Sequence, residues 1–94
     1  MLARLLKRMN IKDKIILVTG GANGIGKALC ERFAKEGAKK IIVADLDLAN
    51  AQKVGAHING LAFELDVSNE TQVKDVVGEV LGEYGHIDLV CSNA

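Results

Sequence analysis

The sequence predicts an α/β fold in which a parallel sheet of about four strands carries helices on both faces. Two observations predict it: short apolar runs alternate with segments of helical periodicity, and a glycine-rich turn follows the first apolar run. Strands that alternate with helices of about 10–15 residues pair in parallel through right-handed crossovers. Because these strands are apolar throughout, they fit burial on both faces of the sheet.

The first part of the pattern is a strand, a helix and a second strand. The first strand is an uninterrupted apolar run, and the helix after it carries Ile25, Leu29 and Phe33 on one stripe at helical spacing. Gly37 ends this helix, because glycine readily adopts the left-handed conformation found at helix ends. The second strand is centred on Ile41–Val43.

The second part adds two helices and two strands. The pair Asn59-Gly60 ends the second helix, and a short third strand follows it. Ser68 is the expected N-cap of the third helix, with Glu70 in its first turn, and Gly85 ends that helix before the fourth strand. The predicted elements are strand Lys14–Thr19, helix Gly24–Glu36, strand Lys40–Ala44, helix Asp47–Asn59, strand Leu61–Leu65, a helix from Ser68 to about Tyr84, and strand Ile87–Cys91.

Composition excludes several classes of partner. The 94 residues are 49% hydrophobic and 26% charged, as in one small globular domain, and 12 basic side chains balance 12 acidic ones. Zero net charge and 3% aromatic residues argue against nucleic acid. No run approaches the ~18 apolar residues of a membrane span. Cys30 and Cys91 form no CxxC pair, so we expect two buried, reduced thiols in an intracellular protein and no metal site.

Residues 1–10 differ from the domain predicted over residues 11–94. Four apolar side chains between Leu2 and Met9 fall at helical spacing, and the opposite face of this short segment is basic. We interpret it as a loosely attached extension, with a mitochondrial-type presequence as the alternative. The predicted location is therefore cytoplasmic, with mitochondrial as the alternative.

The stretch from Thr19 to Gly26 joins a buried strand, a glycine-rich turn and the start of a helix. This arrangement places backbone N–H groups and the positive end of a helix dipole where a phosphate can sit. Gly24 lets the backbone approach a pyrophosphate, and Gly26 lets the helix pack close to the sheet. A glycine-rich turn without a ligand is the alternative interpretation.

A rival phosphate motif occupies the same stretch. The segment Gly21–Lys27 matches G-x-x-x-x-G-K, the start of a P-loop, whose next residue is Ser or Thr so that a hydroxyl can bind Mg²⁺. Here the next residue is Ala28, and only Asp66 resembles the acidic metal ligand that such a site needs. The P-loop is therefore the weaker interpretation.

Asp45 comes at the end of the second strand and decides the expected cofactor. In a βαβ unit, a carboxylate at this position reaches the ribose hydroxyls of a bound adenosine. It accepts hydrogen bonds from the 2′-OH of NAD and repels the 2′-phosphate of NADP. Leu46, Asp47 and Leu48 follow it, and none of them is a Lys or Arg that could bind that phosphate. The sequence therefore predicts NAD rather than NADP, with a helix-capping carboxylate as the alternative role of Asp45.

Taken together, these residues resemble the short-chain dehydrogenase/reductase family. Thr19–Gly26 matches the family's T-G-x-x-x-G-x-G, and Asp45 falls at its adenosine-ribose position. Asp66 and Val67 look like its adenine-contacting D-V pair. Ser92–Ala94 looks like its N-N-A-G at the end of the fourth strand, with Ser in place of the first Asn.

The resemblance implies a partial Rossmann fold with strand order 3-2-1-4, in which residues 11–94 are the N-terminal half of a dinucleotide-binding domain. It implies hydride transfer between NAD and a small-molecule alcohol or carbonyl substrate in a full-length, homo-oligomeric protein. The family's catalytic Ser and Y-x-x-x-K are expected beyond position 94, and Tyr84 has no Lys four positions later. We therefore assign no catalytic residue and expect the 94-residue chain alone to be inactive. The alternatives are a truncated, non-catalytic nucleotide-binding module and a non-functional fragment.

The resemblance also implies a set of cofactor-binding residues. They are Thr19, Gly20, Asn23, Gly24, Ile25, Gly26, Asp45, Leu46, Asp66, Val67, Asn93 and Ala94. Asp88, beside the fourth strand, is expected to be solvated. Because the fourth strand would be a bare edge, we expect the isolated chain to be marginally stable and to associate or aggregate.

Overall fold

The structure is a computed structural model that describes residues 10–93. Residues 1–9 and Ala94 lie outside the described residues, and so does the amphipathic pattern from Leu2 to Met9. The elements are β1 (Ile15–Thr19), α1 (Gly24–Lys35), β2 (Lys40–Asp45), α2 (Leu48–Ile58), β3 (Leu61–Glu64), α3 (Glu70–Tyr84) and β4 (Leu89–Ser92). Every predicted strand and helix is present, with boundaries that move by one or two residues.

The four strands form one parallel sheet in the order β3-β2-β1-β4, which confirms the predicted topology. At the centre of the sheet, Leu17 of β1 lies between Ile42 of β2 and Val90 of β4. All five residues of β1 are buried, whereas none of the residues of β3 or β4 is. The uninterrupted apolar run in β1 is therefore the signature of the strand that has a neighbour on each side and helices on both faces.

Two apolar layers enclose the sheet, one on each face. Alternate side chains of a strand point to opposite faces, so β1 and β2 contribute to both layers. The first layer packs strand residues against α1 and α2 and includes Ile16, Val18, Val43, Cys30, Phe33, Ala51 and Val54. The second layer packs strand residues against α3 and includes Ile15, Leu17, Ile42, Ala44, Val76 and Val80. Helices on both faces were predicted from the strand pattern, and that prediction is confirmed.

The predicted cap of α3 is wrong by one residue. Asn69, not Ser68, caps the helix, and its side-chain oxygen accepts a hydrogen bond from the backbone N–H of Gln72 at 3.1 Å. The hydroxyl of Ser68 instead donates to Oδ1 of Asp66 at 2.6 Å. Ser and Asn cap helices about equally well, so composition alone could not choose between two adjacent candidates.

The start of β4 also differs from the prediction. The strand begins at Leu89 rather than Ile87, because Asp88 makes a two-way contact with Ile15 before the regular ladder starts. The backbone N–H of Asp88 donates to the carbonyl of Ile15 at 2.9 Å, and the Ile15 N–H donates to the Asp88 carboxylate at 2.8 Å. The expectation that Asp88 is merely solvated is therefore wrong, since its side chain ties β4 to β1.

The two cysteines differ in environment. Both are free thiols, but Cys30 is buried and Cys91 is only half-buried, so the expectation of two buried thiols holds for Cys30 alone. Burial, with a smaller contribution from nearby Cys91, raises the pKa of the Cys30 thiol to about 12, so it stays protonated at neutral pH. Within residues 10–93, no cluster of three or more His, Cys, Asp or Glu side chains is arranged to hold a metal ion. None of the helices over the same residues is long and apolar enough to cross a membrane.

Candidate cofactor site

A cavity of about 570 Å³ opens where the parallel strands end. Ligands of open α/β sheets bind in this position, at the carboxyl ends of the strands. The cavity is also within the size range of small-molecule sites, roughly 300–1,000 Å³. Its lining residues are Gly20, Asn23, Gly24, Ile25, Asp45, Leu46, Leu65, Asp66, Val67 and Asn93.

The glycine loop forms one wall of the cavity. Gly20 and Gly24 have φ values of 65° and 57°, a left-handed conformation that disfavours other residues. Nothing lies within 4 Å of the place where a Cβ of Gly24 would stand, so the backbone there faces open space that a ligand can enter. Asn23 precedes α1 without a side-chain capping bond, so its side chain leaves the first-turn N–H groups uncapped.

Gly26 is needed for a different reason. A Cβ at this position would stand 2.0 Å from the carbonyl oxygen of Gly20 and 2.9 Å from Nδ2 of Asn93. Both distances are far below van der Waals contact, so any side chain would force the loop apart from α1. We expected Gly26 to allow close packing of the helix on the sheet. The tightest contacts that a Cβ at Gly26 would make are with Gly20 of the loop and with Asn93, which follows β4.

Asp45 lines the second wall, and its carboxylate is held in place by two backbone donors. The N–H of Ala22 donates to Oδ2 at 3.1 Å, and the N–H of Asp47 donates to Oδ1 at 3.0 Å. The loop is also tied to β2 directly, since the N–H of Gly21 donates to the carbonyl of Ala44 at 3.3 Å. A carboxylate oxygen accepts more than one hydrogen bond, so each oxygen keeps capacity for a ligand hydroxyl.

Asp66 follows β3 and supplies the other carboxylate of the cavity. Hydrogen bonds from the hydroxyl and then the backbone N–H of Ser68, at 2.6 and 3.0 Å, hold the pKa of Asp66 below its usual value. The carboxylate is therefore ionised at neutral pH. The backbone N–H of Asp66 donates to Oε1 of Gln72 at 2.9 Å, which links this corner of the cavity to α3.

Three apolar side chains at the cavity stand unusually open to solvent. Ile25 and Leu46 are each 67% exposed, and Val67 is 44% exposed. Large apolar side chains that are exposed around a concave site commonly mark a surface that a ligand covers. The site thus combines a backbone N–H cradle, two carboxylates and apolar surface suited to a flat ring.

Thr19 and Asn93 join the ends of β1 and β4 below the cavity. The hydroxyl of Thr19 accepts a hydrogen bond from the backbone N–H of Asn93 at 3.2 Å and donates to the carbonyl of Cys91 at 3.4 Å. Because Thr19 is buried, it supports the site without lining it. These contacts place Asn93 beside the glycine loop.

Residues 14–94 match the family described as short chain dehydrogenase. The chain belongs to this family.

Named members of the short-chain dehydrogenase family are similar to the chain over nearly all of it. An uncharacterized oxidoreductase of Bacillus subtilis, YuxG, is 43% identical over an 88-residue alignment that covers 86% of this chain and 13% of that protein. Galactitol 2-dehydrogenase of Agrobacterium fabrum is 42% identical over an 88-residue alignment that covers 92% of this chain and 34% of that protein. The chain thus spans about a third or less of the length of these relatives.

A solved structure of the same kind has a similar fold. It is a 3-ketoacyl-(acyl-carrier-protein) reductase from Brucella melitensis, complexed with NADH. The TM-score is 0.79 and the identity 35%, over 85% of this chain and 34% of that one. The α/β fold with a parallel sheet is therefore shared with a short-chain dehydrogenase relative that holds a nicotinamide cofactor.

The structure brings most of the predicted site residues together. Nine of the twelve line the one cavity, namely Gly20, Asn23, Gly24, Ile25, Asp45, Leu46, Asp66, Val67 and Asn93. Thr19 and Gly26 are buried beneath it, and Ala94 lies outside the described residues. Sequence reasoning missed Leu65, which also lines the cavity although it is 3% exposed and belongs to the core. Its position directly before Asp66, at the end of a strand, was the available signal.

Proposed function

We propose that this chain binds NAD in the cavity at the ends of the strands. In the proposal it supplies the cofactor-binding part of an oxidoreductase that acts on an alcohol or carbonyl group of a small molecule. The observation that carries the proposal is the Asp45 carboxylate, fixed by the N–H of Ala22 beside an uncapped helix N-terminus. Membership of a family of nicotinamide-dependent enzymes supports it, and so does the NADH in the similar reductase.

The pyrophosphate is assigned to the N-terminus of α1. Free N–H groups and the positive end of the helix dipole favour an anion there, because both are satisfied by negative charge. The open space beside Gly24 supports this assignment, since it admits a phosphate to the backbone without displacing a side chain. The absence of acidic residues from the first turn of α1 also favours it, because a carboxylate there would compete with the ligand.

The adenosine is assigned to the side of the cavity formed by the ends of β2 and β3. Asp45 accepts hydrogen bonds from the ribose hydroxyls, and Asp66 accepts one from the adenine amino group. Leu46 and Val67, both exposed beside these carboxylates, supply apolar surface for the adenine ring. Each carboxylate is thus matched to a donor on the ligand.

NAD is preferred over NADP in this proposal because of charge. The 2′-phosphate of NADP would stand against the Asp45 carboxylate, and like charges at such short range repel. Among residues 10–93, those that line the cavity include no Lys or Arg that could offset this repulsion. The same carboxylate gains a hydrogen bond from the 2′-OH of NAD.

When bound, NAD would supply hydride transfer to or from the carbon of an alcohol or carbonyl group. The residues of this chain bind and orient the cofactor. Tyr84 has no part in the reaction in this proposal, because it lies at the far end of α3 and packs against the second apolar layer. Substrate binding and proton transfer are assigned to the segments that the longer relatives have in addition.

A nucleotide-binding module without hydride transfer is the second candidate. It is favoured by the chemistry of the cavity wall, since the lining residues within 10–93 include no Ser, Tyr, Lys or His that could move a proton. The two candidates share the binding step and differ in turnover. Oxidation of an alcohol with NAD by the protein separates them.

Titration with NADH, followed by its fluorescence, tests the binding step. We expect saturable binding by the native protein and at least a tenfold loss of affinity in Gly26→Ala, because the added Cβ would meet the Gly20 carbonyl and open the loop. Gly78→Ala in α3 is the matched control, since nothing lies within 4 Å of a Cβ there, and it should bind as the native protein does. Equal affinity of Gly26→Ala and Gly78→Ala would refute this site as the place where NADH binds.

A further inference from the structure

The Asp45 carboxylate has protein partners that ribose recognition does not require. Its Oδ2 accepts from the backbone N–H of Ala22, in the glycine loop, at 3.1 Å. Its Oδ1 accepts from the backbone N–H of Asp47, the N-cap of α2, at 3.0 Å. The carboxylate therefore bridges the glycine loop and the start of α2.

We propose that Asp45 is a positioning residue for the glycine loop, in addition to its proposed contact with the cofactor ribose. Ala22 is only 3% exposed, so its N–H has little access to water. A buried N–H without an acceptor is costly, and a carboxylate is a stronger acceptor than a neutral group. The loop conformation in which the Ala22 N–H points at β2 therefore depends on the side chain at position 45.

The opposite side of the loop rests on the core. A Cβ at Gly21 would stand 3.0 Å from Cγ1 of Val43 and 3.2 Å from Sγ of Cys30, so the loop backbone lies directly on these side chains. The thiol of Cys30 donates to the Gly21 carbonyl at 3.9 Å, as a protonated and fully buried thiol can. The loop cannot move inward, and Asp45 is the side chain that ties it to the end of β2.

This role changes what substitutions at position 45 should do. A residue that keeps an oxygen acceptor preserves the loop and alters only the choice between 2′-OH and 2′-phosphate. A residue without an acceptor releases the Ala22 N–H and loosens the phosphate cradle for any dinucleotide. What both statements say about dinucleotides rests on the proposed function, whereas the link between Asp45 and the Ala22 N–H does not.

Hydrogen–deuterium exchange of the ligand-free, intact protein tests that link, with single-amide resolution at Ala22. We expect the Ala22 amide to be protected in the native protein and to exchange about tenfold faster in Asp45→Ala, which is the order expected from losing one hydrogen bond. Asp45→Asn keeps one acceptor oxygen in place of two. We expect this oxygen to serve the buried Ala22 N–H, because the exposed Asp47 N–H can bond to water, so the Ala22 amide should stay near the native rate. Asp47→Asn is the control, since it removes a neighbouring charge and keeps a good helix cap.

Two results would overturn the inference. One is the same Ala22 exchange rate in Asp45→Ala as in the native protein. The other is an unprotected Ala22 amide in the native protein, a result that requires no variant to fold. NADH titration of the same samples keeps the two proposals separate. If the exchange pattern is as expected and the native protein binds no NADH, the proposed function fails and the positioning role of Asp45 stands.

Discussion

At the scale of single residues, the site depends on backbone groups that particular side chains direct. Asp45 holds the Ala22 N–H, and Thr19 holds the N–H of Asn93. Gly24 and Gly26 occur in one motif for opposite reasons, because a Cβ would meet open space at the first and the Gly20 carbonyl at the second. The glycine motif predicted where the phosphate-binding backbone lies, while only the structure shows which contacts shape it.

Asp45→Asn should change the choice of cofactor. Replacing the carboxylate by an amide removes the repulsion of a 2′-phosphate and weakens the acceptor for a 2′-OH. We expect the ratio of NADH affinity to NADPH affinity to fall on the order of tenfold, measured by parallel fluorescence titrations. Asp47→Asn removes a charge nearby without touching the cavity wall and should leave the ratio unchanged. An Asp45→Asn protein with the native ratio would contradict the proposed role of this carboxylate.

At the scale of elements, polar side chains decide where strands and helices begin. Asp88 pairs with Ile15 in both directions and starts β4, and His86 contacts the same carboxylate oxygen at 3.0 Å. Asn69 rather than Ser68 caps α3, because the Ser68 hydroxyl donates to Asp66 instead. Such contacts of polar side chains, long-range for Asp88 and local for Ser68, are not specified by residue type alone, which explains the small boundary shifts from the sequence-based expectations.

The Asp88 contact should make stability depend on acid pH. The hydrogen bond from the Ile15 N–H, aided by His86 and Lys14, lowers the pKa of Asp88. A lowered folded pKa stabilises the fold above the unfolded pKa, about 3.9 for Asp, and this contribution is lost as the pH falls through the folded pKa. The native protein should therefore lose its stability advantage over Asp88→Asn as the pH falls below about 4.

Denaturant unfolding of both proteins at a series of pH values measures this advantage. Asp13→Asn is the control, because Asp13 is an exposed aspartate two residues before Ile15. The quantity compared is the free energy of unfolding of the native protein minus that of Asp88→Asn. If this difference stays constant from neutral pH to pH values below the unfolded pKa, the role given to Asp88 is wrong.

At the scale of the whole molecule, the sheet is covered unevenly. α1 and α2 pack on one face, while α3 is the helix that packs on the other within residues 10–93. β4 forms one edge of the sheet, and its Val90 is 56% exposed on the face of Leu17. An apolar side chain on an unpaired edge strand favours association with other chains.

Val90→Lys should therefore reduce self-association of the 94-residue chain. A lysine on an edge strand disfavours edge-to-edge pairing, and at a 56% exposed position its charge can reach water. Sedimentation velocity at several concentrations should show a smaller share of oligomers than in the native chain. Lys74→Arg, a charge-conserving change on the exposed surface of α3, should leave the native distribution unaltered. Equal association of the native chain and Val90→Lys would contradict this role of the edge.

Much of the fold could be predicted because it follows from periodicity and turn residues. Alternating apolar runs and helical stripes led to the element order, and parallel crossovers restricted the topology. The contact of Asp88 with Ile15 could not be predicted, since it depends on which strands become neighbours. The contact of Ser68 with Asp66 is local, but residue type alone does not favour it over a helix cap. The cofactor roles of the cavity residues, the oligomeric state and the cytoplasmic location stay predictions from sequence and resemblance.

A crystal structure of the protein with NAD tests the proposed cofactor site most directly. The quantity to measure is the distance between the adenosine-ribose O2′ and the carboxylate of Asp45. We predict a hydrogen bond of about 2.5–3.0 Å, with the pyrophosphate at the N-terminus of α1. An adenosine ribose bound away from Asp45, or a pyrophosphate away from the glycine loop, would contradict it.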